Sequence, residues 1–125
     1  MTTGPAIARL DVGPRLSDMA VCNGIAWLAG QVPDDPREDI AGQTRQVLAM
    51  VDRLLARIGS DRRRILMCQI FLADLADLDA MNRVWDAWVP AGAAPPRATV
   101  QARLADPAWK IEIVVTAAAG AAAGA

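Results

Sequence analysis

The stretch "APPRATVQARLADPAWKIEI" (Ala94–Ile113) reads as two extended segments around a short turn. Side chains alternate along a strand, so Arg97, Thr99 and Gln101 share one face while Ala98, Val100 and Ala102 share the other. On the second segment Lys110, Glu112 and Val114 oppose Ile111, Ile113 and Val115. With a turn over Leu104–Pro107, Thr99 lies across from Glu112 and Arg97 across from Val114. Arg97 and Glu112 then sit diagonally on one face, roughly 7–8 Å apart. A loop one residue longer or shorter would move Glu112 to the other face.

Such a pair has a use. Arginine's planar fork grips a carboxylate through two parallel charge-assisted hydrogen bonds. A carboxylate beside it can orient a water and relay its proton. Together they suit hydrolysis of a small carboxylic acid with a polarised neighbouring carbon. An ordinary cross-strand ion pair on a solvated face satisfies the same spacing.

Working outward, "IARL" (Ile7–Leu10) reads as a first strand, and Asn23-Gly24 joins strands Met19–Cys22 and Ile25–Ala29 as a hairpin. Val47, Val51, Leu54, Leu55 and Ile58 follow helical spacing, so a helix runs from near Glu38–Ala41 to Gly59. The apolar run "ILMCQIFLAD" (Ile65–Asp74) predicts a central strand covered on both faces. Asp77 is placed to cap a second helix carrying Leu78, Met81, Trp85 and Trp88. The order is β-β-β-α-β-α-β-β in one α+β domain over residues 1–118, and 119–125 form a low-complexity Ala/Gly tail. A mixed sheet with two helices on one face leaves the other face bare, which predicts a homo-oligomer.

Composition narrows the chemistry. The chain has 125 residues, a formal net charge of −1 and no histidine. Ser-His-Asp and Cys-His pairs are therefore impossible within one chain, and no charge excess draws it to nucleic acid or an anionic membrane. Cys22 and Cys68 lack metal-ligand spacing and are expected as reduced thiols. No phosphate-binding motif, signal peptide or membrane span is present. The expectation is a cytoplasmic protein with no cofactor and no metal.

With the whole order of elements, "PPRATVQARLADPAWKIEI", "GQVPDDP" and "QIFLADLADLDAMNRVWDAW" resemble the Rid family (RidA/YjgF, reactive intermediate deaminases, also labelled endoribonuclease L-PSP) from about Arg15 to Ala117. The resemblance implies a chorismate-mutase-like homotrimer, its sheets forming a central barrel and its ligand clefts lying between subunits. It implies 2-iminobutanoate/2-iminopropanoate deaminase-type hydrolysis of imino and enamine acids to keto acids and ammonia. Arg97 matches the arginine that holds the substrate carboxylate, and Glu112 the glutamate that positions water. Thr99 falls where the family often has a cysteine whose backbone meets the ligand; Gly30 matches a cleft glycine and Asn82 a nearby helix residue.

This chain also departs from the family. Its usual N-terminal tyrosine is replaced around "GPRLSD", leaving Arg15 or Ser17 to reach the cleft, and Ala29 stands for the serine before the loop glycine. "RLSD" and "WDAWV" resemble a less characterised branch. Bland alternatives remain at these positions: a solvated Arg15, a turn-stabilising Ser17, an exposed Asn82, and Trp85 and Trp88 as core or interface anchors. A non-enzymatic trimer that binds small carboxylates, and an RNA-directed translation inhibitor, are the competing functions.

Overall fold

Asn23 and Gly24 carry φ values of 57° and 79°, the consecutive left-handed residues that a two-residue hairpin turn requires. In the computed structural model, which describes residues 3–120, they join β2 (Met19–Cys22) to β3 (Ile25–Leu28), and β1 (Ile7–Leu10) pairs antiparallel with β2. α1 (Ile40–Arg57) begins where the Asp39 carboxylate accepts the Gly42 N–H at 2.9 Å. It stops before Gly59, whose φ of 66° few other residues adopt. β4 (Ile65–Leu72), α2 (Leu78–Trp88), β5 (Arg97–Gln101) and β6 (Ile111–Ala118) complete the predicted order. Asp77 makes no side-chain cap on α2, because its own backbone is already helical. Asp74 instead accepts the Ala76 N–H and opens the short turn that precedes the helix.

The six strands form one sheet in the order β1-β2-β3-β6-β4-β5. The closing hairpin expected from Ala94–Ile113 is not there. β5 pairs parallel with β4 at the sheet edge, and β6 inserts between β3 and β4, antiparallel to both. Residues 102–110 carry the chain past the end of β4, where Ala102 N–H donates to the Leu72 carbonyl and Ala73 N–H to that of Lys110. Side-chain character explains the placement. Ile111, Ile113, Val115 and Ala117 are all buried, which suits a strand with neighbours on both sides. β5 has no buried residue and a polar sequence, as an edge strand should. The β4–α2–β5 crossover supplies its parallel partner.

Both helices cover one face, where Val47, Val51 and Leu55 meet Cys68, Ile70, Ile111, Ile113 and Val115 in a single core that also takes in Met81. The opposite face has no cover within the chain: Trp27 is 49% and Val100 45% exposed. β4 is therefore buried on one face only, with Gln69 exposed and Phe71 half-buried on the other, contrary to the reading of its apolar run. The expected tail boundary shifts as well. Ala119 is buried and donates to the Gly24 carbonyl, and Gly120 donates to that of Ile58, so both belong to the folded body. Residues 121–125 lie outside the described part.

Candidate functional site

The register places the two principal candidates on different sides of the sheet. Arg97 is level with Cys68, and Cys68 with Val115; Thr99 is level with Ile70 and Ile113. These neighbours face the helices, so Arg97 and Thr99 face them too. Glu112 is level with Phe71 and, beyond it, Val100, on the uncovered face. The shared face expected from a hairpin is thus corrected. What the chain offers is two separate groups of residues.

The first group surrounds Arg97. Its Nη2 donates to Asn82 Oδ1 at 2.8 Å, and its guanidinium carbon lies 5.1 Å from the centre of the Trp85 ring. Asn82 and Trp85 are three apart on α2, hence on one helix face. Arg97 makes no ion pair among the described residues, which leaves most of its donors free for an anion. Thr99 Oγ1, two residues along the same face, is buried without a hydrogen-bond partner. Such an atom is costly to leave alone. Beside it, burial pushes the Cys68 thiol up to about 12, against the opposing influence of Arg97. That thiol is no nucleophile.

The second group surrounds Glu112. A Cβ at Gly30 would stand 2.0 Å from Glu112 Oε2 and 2.9 Å from its Cδ, so only glycine lets the carboxylate lie against this backbone. Gln31 and Ile113 exchange backbone hydrogen bonds of 2.8 and 3.0 Å, fixing the Gly30 loop beside Glu112. The Asp18 carbonyl accepts the Ala29 N–H at 2.9 Å, which brings the Arg15–Ser17 loop next to Gly30. Arg15 is exposed and Ser17 half-buried, and neither side chain has a hydrogen bond or ion pair among the described residues. The loop is tied to α1 by the Asp11–Arg57 ion pair. That pairing holds the Asp11 carboxyl below its usual range, while hydrogen bonding to Asp11 raises that of Asp18.

Of the expected residues, Arg97, Asn82 and Thr99 come together, as do Glu112 and Gly30 with the Arg15–Ser17 loop alongside. Trp85 was expected only as an anchor. Its place under Arg97 was legible solely in the three-residue spacing from Asn82. A groove of about 650 Å³ between the helices, bordered by Arg45, Leu48, Val84 and Trp88, includes neither Arg97 nor Glu112. Among the described residues no cluster of His, Cys, Asp or Glu is arranged to hold a metal, and no helix is long and apolar enough to cross a membrane.

Comparison with known proteins gives a consistent result. Residues 7–119 match the family described as endoribonuclease L-PSP. A RutC family protein of Haemophilus ducreyi is 54% identical over 112 residues, covering 90% of this chain and 96% of that protein. The crystal structure of a YjgF family member from Neisseria meningitidis, 46% identical, superposes with a TM-score of 0.89 over 92% of this chain and 96% of that one. A 3-aminoacrylate deaminase, RutC, of Acinetobacter baylyi is 33% identical over 101 residues, covering 76% of this chain and 79% of that protein.

Proposed function

The chain belongs to the endoribonuclease L-PSP family, the Rid or YjgF proteins, and we propose that it hydrolyses reactive 2-imino and enamine acids to 2-keto acids and ammonia in the cytoplasm. The observation that carries this reading is a guanidinium held by Asn82 and Trp85 with no carboxylate partner among the described residues. An arginine seated in this way is prepared for an organic anion. The Acinetobacter relative's substrate, 3-aminoacrylate, is itself an enamine carboxylate.

Because Arg97 and Glu112 face opposite sides of one sheet, a site using both takes them from two copies of the chain. The bare sheet face, with Trp27 and Val100 exposed, supports association of that kind, and a homotrimer supplies three equivalent clefts. In each cleft Arg97 of one copy binds the substrate carboxylate. Glu112 of the next copy accepts a proton from water as its oxygen bonds to the imine carbon. The C–N bond of the resulting carbinolamine then breaks. Glu112 hands the proton it took to the nitrogen, the carbinolamine hydroxyl gives up the second, and nitrogen leaves as ammonia while the carbon becomes a keto group. Thr99, with its unpartnered hydroxyl, and the Arg15–Ser17 loop line the two walls.

An amino-acid oxidase generating the imino acid in place, with ammonia release followed, tests this reading. The wild type should accelerate release and a folded Arg97→Ala variant should not; equal rates would remove the site. A purely binding, regulatory trimer would show no turnover and an unchanged affinity in Glu112→Gln. An RNA-directed role has less support from a chain of net charge −1 without histidine.

A further inference from the structure

Arg97 stands on an edge strand, and its side chain has one hydrogen-bonded anchor, Asn82 Oδ1 at 2.8 Å. A single anchor fixes a point and leaves the guanidinium plane free to turn about it. The second contact is the face of Trp85, 5.1 Å from the guanidinium carbon. Trp85 is only 6% exposed, and it is backed in turn by Trp88, whose ring centre is 5.3 Å away at an angle of 45°.

Trp88 is itself locked. Its indole N–H donates to Asp52 Oδ2 at 3.0 Å, and Arg62 lies 4.8 Å over its ring. Arg62 pairs with the same Asp52 carboxylate at 2.7 Å and donates to the Trp88 carbonyl at 2.7 Å. Arg62 thus belongs to a built network.

We propose that Trp85 is the positioning residue that sets the plane of the Arg97 guanidinium for the substrate carboxylate, with Trp88, Asp52 and Arg62 holding its ring in place. Neither the family resemblance nor the names of the relatives assign a role to position 85. A bidentate ion pair needs the guanidinium and carboxylate nearly coplanar. An arginine already stacked on an aromatic face loses less freedom on binding than one that swings in solvent. The inference rests on the carboxylate-binding reading of Arg97. It adds a physical reason for an aromatic side chain three residues after Asn82, on the face of α2 that meets β5.

The test compares Trp85→Leu and Trp85→Phe with wild type, using 2-oxobutanoate binding by calorimetry and imine hydrolysis in the oxidase-coupled assay. Trp85→Leu should weaken 2-oxobutanoate binding and raise KM by about three- to thirtyfold, with kcat within about twofold of wild type. Trp85→Phe keeps a ring face and should recover most of the loss. Leu54→Ala loosens the packing of α1 without touching Arg97, so it should lower the melting temperature and leave KM unchanged. Should Trp85→Leu fail to fold, Trp85→Met against Trp85→Phe carries the same comparison. Unchanged binding and KM in the ring-less variant, or the same KM rise in Leu54→Ala, would overturn the inference while leaving Arg97 as the anchor. If the wild type bound no 2-oxobutanoate, the reading of Arg97 would fall, and this inference with it.

Discussion

Arg97 and Glu112 face opposite sides of one sheet, Arg97 level with Cys68 toward the helices and Glu112 level with Phe71 on the bare face. The sheet itself, with β4 between their two strands, separates these side chains. In the proposed reaction, association of copies therefore becomes part of the chemistry. The same geometry gives each group its own support: Asn82 and Trp85 on α2 for the arginine, Gly30 and the backbone of Gln31 for the glutamate.

Gly30→Ala separates fold from function. Its Cβ would meet the far end of the Glu112 side chain at 2.0 Å, and that end can swing away at little cost to folding. The melting temperature should move by about 2 °C or less, while the rate of imine hydrolysis falls by about tenfold or more as Glu112 leaves its place. Steady-state kinetics beside a thermal melt check this; full activity would detach Glu112's position from the reaction.

Gln43→Leu should damage stability instead. Gln43 is fully buried; its Nε2 donates to the Pro36, Glu38 and Ala108 carbonyls at 3.0–3.2 Å, and its Oε1 accepts the Lys110 N–H at 2.8 Å. Leucine fills the space and leaves those backbone groups without partners, a loss of about 2–4 kcal/mol. A urea titration should show the midpoint fall with the slope unchanged.

The two thiols should behave differently. Cys22 is half-buried and Cys68 fully buried, and neither is in a disulfide. A thiol reagent should modify Cys22 in the folded protein and Cys68 only on unfolding. Burial moves the Cys68 thiol from 9.0 up to about 12, so between those values the folded chain keeps a proton that the unfolded chain has lost. Its contribution to stability is whole below pH 9 and declines as pH rises toward 12. Cys68→Ala should remove that part of the alkaline decline in melting temperature.

Much of the fold was legible in the sequence because local signals there agree with tertiary demands. Asn23-Gly24 can hardly be anything but a hairpin turn, and the Val47–Val51–Leu55 stripe needs a surface to cover it. The partner of β5 was not legible. Residues 102–110 are short enough to suggest a turn, yet they also suffice to step over the end of one strand. What decides between these is the contrast between an evenly buried β6 and a polar β5, which becomes a constraint only when the whole sheet is assembled. The candidate site inherits that difficulty. Arg97 and Glu112 stood out from strand alternation and side-chain chemistry, Gly30 and Asn82 through motif resemblance, whereas their division between two faces follows from register alone. Trp85 looked like core and is core, and its contact with Arg97 required a neighbouring strand to be in place.

The central claim is that each working site joins Arg97 of one copy to Glu112 of another. Arg97→Ala and Glu112→Gln subunits, each inactive alone, can be unfolded together and refolded into mixed assemblies, and ammonia release from an oxidase-generated imino acid measured. In a mixed trimer one interface of three unites an intact arginine with an intact glutamate, and random assembly at a 1:1 ratio makes about three quarters of the trimers mixed, so activity should return to about one quarter of the wild-type level. Mixed assemblies as inactive as their parents would contradict the claim.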